Sequence, residues 1–247
     1  MSPAMREPAL AGQTVVVIGG SAGIGFATAR LARAEGADVV LTARSPDRLR
    51  AAADEIGARS TAAFDANDLA ALEDFFAGLD TPIDHVMVTA GTPFYAPLPD
   101  MDLEDARRAL AEHPMVMLGV ARSTVGRIRP GGTLLFMGGT GARQPAVGLS
   151  ITAALTAALP VLAANLALEL AQVRVNLIAA GFVDTPLSAS LLGDGLDARR
   201  DQLRATLPIG RVVGPDDVAA LAVHVMTNTA LTGATFDVDG GQQLLRG

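Results

Sequence analysis

The stretch Val15–Gly25, Val-Val-Val-Ile-Gly-Gly-Ser-Ala-Gly-Ile-Gly, constrains this chain more than any other. Four β-branched residues run into a glycine cluster, and an amphipathic pattern over Phe26–Glu35 follows. That order reads as a buried strand, a tight turn and the start of a helix. The first N–H groups of a helix lack intrahelical partners and carry the positive end of its dipole. A pyrophosphate can rest on them where no side chain intervenes. Glycine gives that clearance at Gly19, Gly23 and Gly25, a spacing that differs from the GxGxxG of the common dinucleotide fingerprint.

The rest of the chain repeats the alternation. Apolar runs at Asp38–Thr42, Ser60–Phe64, Asp84–Thr89, Thr133–Met137, Arg174–Ile178 and within Thr232–Gly241 read as further strands. Between them lie helical patterns: one opened by Ser45 as N-cap, with Pro46 and Asp47 in its first turn, to Ile56; one through Ala77, for which Asp68 is a cap; Asp102–Glu112; Met115–Ile128; and Asp216–Met226. Strands alternating with helices give a Rossmann-like α/β fold, a doubly wound, mostly parallel seven-stranded sheet with helices on both faces. A length of 247 residues suits one such unit over 1–247, behind a loose leader, Met1–Gln13. Leu149–Leu170 is uncharged from Ile151 to Leu168, long enough to span a bilayer. Pro160, Asn165 and the surrounding strand–helix series favour instead a helix buried on two sides, kinked or interrupted at Pro160.

Composition removes several functions. The net charge is −7 without basic blocks, so nucleic acid is not an expected partner. With no cysteine and with His85, His113 and His224 scattered, no metal site is expected. Pro3, Arg6, Glu7 and Pro8 break the apolar core a signal peptide would need, which makes a cytoplasmic location the expectation, with no membrane partner. All 19 basic residues are arginine, which cannot replace lysine as a tunable amine. After the second apolar run comes Arg44. An acid there binds a ribose 2′-OH in dinucleotide folds, whereas an arginine accommodates a 2′-phosphate, so NADP(H) is expected over NAD.

Several segments fall in the order found in one family. Gly19, Gly23 and Gly25 match GxxxGxG; Thr89-Ala90-Gly91 matches Asn-Ala-Gly with threonine for asparagine; Ala180-Gly181-Phe182-Val183-Asp184-Thr185 matches Pro-Gly-x-x-x-Thr with alanine for proline. From Gln13 to Leu245 the chain resembles the short-chain dehydrogenase/reductase family. The resemblance implies that Gly19, Ser21, Gly23, Ile24 and Gly25 cradle the cofactor and that Asp65 meets the adenine edge. It places Ala90 and Gly91 at the cofactor crevice, the backbone at Gly181 and Val183 against the nicotinamide amide, and Thr185 at a phosphate. It also implies a homodimer or homotetramer built through Leu149–Leu170, and a substrate lid over Leu187–Leu207 with Gly193 and Gly195 as flexible points.

The family's proton machinery does not carry over. Members use a Ser, a Tyr-x-x-x-Lys and an Asn. Counting from flanking motifs, the serine falls on Gly139 beside Thr140, the tyrosine on Thr152, the lysine on Thr156 and the asparagine near Val116. The chain has no lysine, and its one tyrosine, Tyr95, lies in the Thr92–Asp100 loop. Thr152 remains a hydrogen-bond donor but a poor acid, and Thr156 is left as a cofactor contact. Candidates for replacement chemistry are Tyr95 as a phenol, Arg143 as an oxyanion or substrate-acid partner, and His113 as an acid–base group. The expected function is an NADPH-dependent reductase of a small molecule whose product charge is delocalised, such as an enone or iminium; the alternatives are a non-redox enzyme performing cyclisation, dehydration or isomerisation, and a silent NADP sensor.

Overall fold

Val15, Val16, Val17 and Ile18 are all buried in β1 (Thr14–Ile18) because both faces of that strand are covered. Val15 and Val17 point into one hydrophobic layer, and Val16 and Ile18 into the other. A strand buried on both sides reads as an unbroken apolar run, the signature of a parallel sheet inside an α/β fold. The structure, a computed structural model, describes residues 7–245. The start of the expected leader, with Pro3 and Arg6, lies outside them. The remainder of that leader is not loose: Leu10 is fully buried and its N–H donates to the Glu35 carbonyl at 2.9 Å.

β2 (Asp38–Ala43), β3 (Ser60–Ala63), β4 (Ile83–Val88), β5 (Ile128–Gly139), β6 (Arg174–Ala180) and β7 (Thr235–Val238) complete a seven-stranded sheet in the order β3-β2-β1-β4-β5-β6-β7. Every ladder is parallel. α1 (Gly23–Ala34), α2 (Pro46–Ile56) and α8 (Pro215–Thr227) supply one hydrophobic layer. α3 (Leu69–Ala77), α4 (Leu103–Ser123) and α5 (Ser150–Glu169) supply the other. The winding reverses between β1 and β4, so the crevice at their carboxyl ends is the place where an open α/β sheet binds ligands. Beyond β6 follow α6 (Pro186–Leu192), a 3-10 turn (Gly193–Gly195) and α7 (Leu196–Thr206), and residues of α6 together with Arg199 of α7 line a cavity at that end of the sheet.

Several local expectations need correction. The two helical segments around Pro114 are one helix, α4, which ends at Ser123; Ile128 opens β5 instead of closing a helix. Pro114 leaves out one rung, and burial of Ala106, Val116, Met117, Val120 and Ala121 along one face holds the helix across the gap. Ser45 stands at the N-cap of α2, yet its side chain makes no capping bond; Asp68 does cap, accepting from the N–H groups of Ala70 and Ala71 at 3.1 Å. α5 continues through Pro160, whose missing N–H removes the bond to the Thr156 carbonyl. Nor is α5 covered on two sides within the chain. Thr152, Thr156, Leu159, Ala163 and Leu166 are buried, while Val161 and Leu168 are 64% and 79% exposed. By length and hydropathy α5 alone among the described helices is apolar enough to cross a membrane, and its inner face is packed on the sheet.

Candidate active site

At the carboxyl end of β1 the backbone turns sharply, with Gly19 at φ +94° and Gly23 at φ +56°. A Cβ on Gly25 would lie 2.3 Å from the Gly19 carbonyl oxygen and 2.6 Å from Thr89 Oγ1. The first turn of α1 is therefore pressed against the end of β1, which only glycine permits. Thr89 closes the crevice floor: its hydroxyl, within 3.1 Å of the Ile18 and Gly19 carbonyls, donates to them from the end of β4. The threonine found where the family motif has asparagine thus ties the two strands at the switch point together.

From this cradle a cavity of about 800 Å³ runs towards α5, α6 and the C-terminal segment. Gly19, Gly23, Ile24, Gly25, Ala90, Gly91, Gly181, Val183 and Thr185 all line it. Ser21, Arg44 and Asp65 do not. Arg44 and Asp65 follow β2 and β3, exposed at the same carboxyl edge of the sheet, and Asp65 Oδ1 accepts from the N–H and side-chain amide of Asn67 at 3.0 and 3.2 Å. Thr185 caps α6, its Oγ1 accepting from the Ser188 N–H at 3.2 Å, and a Cβ on Gly23 would stand 3.4 Å from it. The cradle and the N-terminus of α6 therefore lie next to each other on the cavity wall.

Thr152 and Thr156 lie one turn apart on α5, both on the cavity wall and both largely buried. Their hydroxyl protons are already engaged. Thr152 Oγ1 donates to the Phe94 carbonyl at 2.6 Å, and Thr156 Oγ1 donates back to the Thr152 carbonyl at 2.9 Å. Gly139, on which counting placed the serine, lines the cavity, and a Cβ there would stand 3.2 Å from Thr156 Cγ2. The close approach of β5 to α5 leaves little room for a larger residue. Thr140, beside it, also lines the cavity.

The acid–base candidates separate. Tyr95 lines the cavity although it is 54% exposed, and partial burial pushes its phenol above the ordinary value. His113 also lines the cavity. Its Nε2 lies 3.0 Å from the Met137 carbonyl oxygen, which can only accept, so Nε2 carries the proton and Nδ1 is left as an acceptor. Burial lowers the His113 pKa, partly opposed by that hydrogen bond, and the ring is neutral at neutral pH. Val116, where counting placed the asparagine, is buried in the core instead; His113, nearly one helical turn earlier, is the residue of α4 that reaches the cavity. Arg143 stands apart from the other candidates. It is absent from the cavity wall and pairs with Asp237 at 2.8 Å, so an oxyanion role finds no support in its position.

Arg199 was missed. It comes from α7 and lines the cavity, with its guanidinium carbon 5.9 Å from the Phe182 ring centroid. Nothing in the sequence sets it apart from Arg200, Arg204 and Arg211 nearby. Among the described residues of the wall there is no aspartate or glutamate, and Arg199 is the one arginine. Phe182 is fixed in turn by its N–H, which donates to Gln242 Oε1 at 3.0 Å.

Comparison with known proteins places this geometry. Residues 19–243 match a family model described as enoyl-(acyl carrier protein) reductase. The short-chain dehydrogenase/reductase malC of Malbranchea aurantiaca is 28% identical over 99% of this chain and 100% of its own. An NADP-dependent (R)-specific alcohol dehydrogenase of Lentilactobacillus kefiri is 30% identical over 94% of this chain and 97% of its own. Among solved structures, the MalC reductase/Diels-Alderase superposes with a TM-score of 0.88 at 27% identity, covering 97% of this chain and 99% of that one. A small-chain dehydrogenase in complex with NADPH superposes with a TM-score of 0.81 at 26% identity, covering 94% and 99%. The sheet order, the glycine cradle and these matches agree: the chain belongs to the short-chain dehydrogenase/reductase family of oxidoreductases.

Proposed function

We propose that this protein is an NADP(H)-dependent reductase of a small-molecule electrophile that needs little help from a strong acid, an iminium ion or a conjugated enone. The observation that carries the reading is the contrast inside one cavity. The cradle at Gly19–Gly25 is shaped by contacts that a Cβ would destroy, while the α5 threonines already donate their protons to backbone carbonyls. The residues present fit a dinucleotide: an exposed Arg44 beyond β2 suits a 2′-phosphate, and the NADPH complex and NADP-dependent activity named for two relatives support that choice.

A bound NADPH supplies a hydride. The chain's own part is to cradle the pyrophosphate at the α1 N-terminus, to present backbone groups at Gly181–Val183, and to exclude water beneath α6 and α7. Hydride addition to an iminium carbon neutralises the cation and requires no proton. With an enone the added hydride must be balanced by a proton, which the Tyr95 phenol at the cavity wall would supply, to be replaced from solvent at its exposed side. His113, neutral with Nδ1 as acceptor, can accept a hydrogen bond from the substrate or from water. The test compares NADPH and NADH consumption by the purified protein with a cyclic iminium, an enone and a simple ketone. Preference for NADPH with the first two supports the reading; equal use of the ketone contradicts it.

A second reading draws on a specific likeness, the relative named as a reductase/Diels-Alderase. Leu149, Leu155, Leu159, Leu191 and Leu192 give this cavity an apolar wall able to hold a folded substrate during cyclisation. Cyclised product formed without consumption of NADPH would favour it. We also infer a homo-oligomer, because Leu110, Met115 and Leu118 on α4 and Val161 and Leu168 on α5 are exposed apolar residues on adjacent helices. A monomer in sedimentation equilibrium would refute that.

A further inference from the structure

We propose that Arg199 is the anchor for a carboxylate on the substrate, so that this cavity selects acidic substrates. The proposal rests on the reading of the cavity as a reductase site and names the class of molecule it takes. Three observations carry it. First, Arg199 lies on the wall of a cavity that includes no aspartate or glutamate among the described residues. Second, its neighbours on α7 are paired with acids and it is not. Arg200 bonds Asp184 and Asp197, and Arg204 bonds Asp201, whereas the hydrogen-bond partner of Arg199 is the neutral Gln202, 2.8 Å from Nη1. Third, the guanidinium lies over the Phe182 ring, its carbon 5.9 Å from the centroid, and Nη1 alone is engaged in a hydrogen bond, which leaves N–H groups to donate to a ligand. A half-buried cation without a counter-charge favours an anionic ligand, and a guanidinium can grip a carboxylate through paired hydrogen bonds.

Arg200 makes the arrangement rigid. Its Nε and Nη2 donate to the two carboxylate oxygens of Asp184 at 2.9 and 2.8 Å, fastening α7 to the segment that follows β6. Arg200 is therefore a positioning residue for Arg199. A phosphate of the dinucleotide is the competing anion, but the cradle faces Thr185 and Pro186, against Gly23, while the Arg199 guanidinium carbon lies 5.9 Å from the Phe182 ring centroid, next to Gly181 and its neighbours Asp239 and Gln242. The anchor thus belongs to the substrate end.

The test measures binding, so it does not depend on turnover. The protein saturated with NADP is titrated by calorimetry and ligand-observed NMR with benzoate, cinnamate and 4-phenylbutyrate and with their primary amides. Carboxylates should bind roughly 10- to 100-fold more tightly than the matched amides, as expected for a charge-assisted bond, and Arg199→Gln should abolish the difference. Arg200→Gln should reduce it although Arg199 remains. NADPH affinity, read by fluorescence, should be unchanged in Arg199→Gln. No preference for the carboxylates, including failure of both series to bind, overturns the proposal, as does a loss of NADPH affinity in Arg199→Gln that leaves any carboxylate preference intact. Absence of hydride transfer with bound carboxylate would instead count against the reductase reading alone.

Discussion

Thr152 Oγ1 donates a 2.6 Å hydrogen bond to the carbonyl of Phe94, 58 positions earlier in the chain. The bond fastens the loop that carries Tyr95 to the helix lining the cavity. Thr152→Val would leave that carbonyl without its partner and should lower stability by about 1–3 kcal/mol. Turnover of an iminium should fall less than ~10-fold, since a positioning hydroxyl and not a proton donor is lost; a donor would cost ~10²-fold or more. Thr152→Ser should restore both. Denaturant unfolding and steady-state kinetics on the two variants decide the matter.

Tyr95→Phe separates the two substrate classes. The phenol lines the cavity, and partial burial raises its pKa, so at neutral pH it holds its proton and is a weaker acid than an ordinary tyrosine. Enone reduction should drop by ~10²-fold in the variant, whereas iminium reduction should be nearly unchanged. An equal loss with both substrates would assign Tyr95 to binding instead.

Gly25→Ala tests the cradle. The new Cβ would meet the Gly19 carbonyl oxygen at 2.3 Å, a backbone contact that no rotamer relieves. The variant should lose ~1–3 kcal/mol of stability and its measurable affinity for NADPH. Gly57→Ala, at φ +63° with open space around it, is the control: strain without any effect on NADPH binding.

His85 makes the fold sensitive to acid. Its Nε2 lies 2.6 Å from Gln13 Oε1, its Nδ1 has no partner, and burial brings its pKa down from 6.5 to about 4, with Asp84 opposing and Arg174 adding to the drop. Between those values the unfolded chain binds a proton that the folded chain refuses. Stability is then full above about pH 6.5 and falls by about 3 kcal/mol as the pH drops to about 4. The lowered pKa of His113 acts in the same direction. Urea unfolding of His85→Gln should show a shallower loss between about pH 7 and about pH 4.5. A slope identical to that of the parent protein would contradict this account.

The fold was legible because its determinants are periodic. An unbroken run such as Val15–Ile18 can be satisfied only by covering both faces of a strand, and the glycines after it have one use at a strand–helix junction. Helix interiors were harder: Pro114 and Pro160 look like breaks, but tertiary burial overrides a single lost rung. The site was legible only where backbone carries it. Thr152 and Thr156 follow from counting the family's positions from its flanking motifs, yet the direction of their hydrogen bonds depends on the Phe94 loop and the helix itself. Arg143 and Arg199 could not be told apart in the sequence, because which arginine meets an acid is decided by Asp237 in one case and by Asp184 gripping Arg200 in the other.

Hydride transfer without a strong proton donor is read from NADPH carrying deuterium at both C4 hydrogens, a cyclic iminium and a matched ketone, followed by mass spectrometry of the products. Deuterium is expected in the amine formed from the iminium, with labelled alcohol from the ketone arising at least ~10²-fold more slowly. Amine free of deuterium, or alcohol labelled at a comparable rate, would rule this chemistry out.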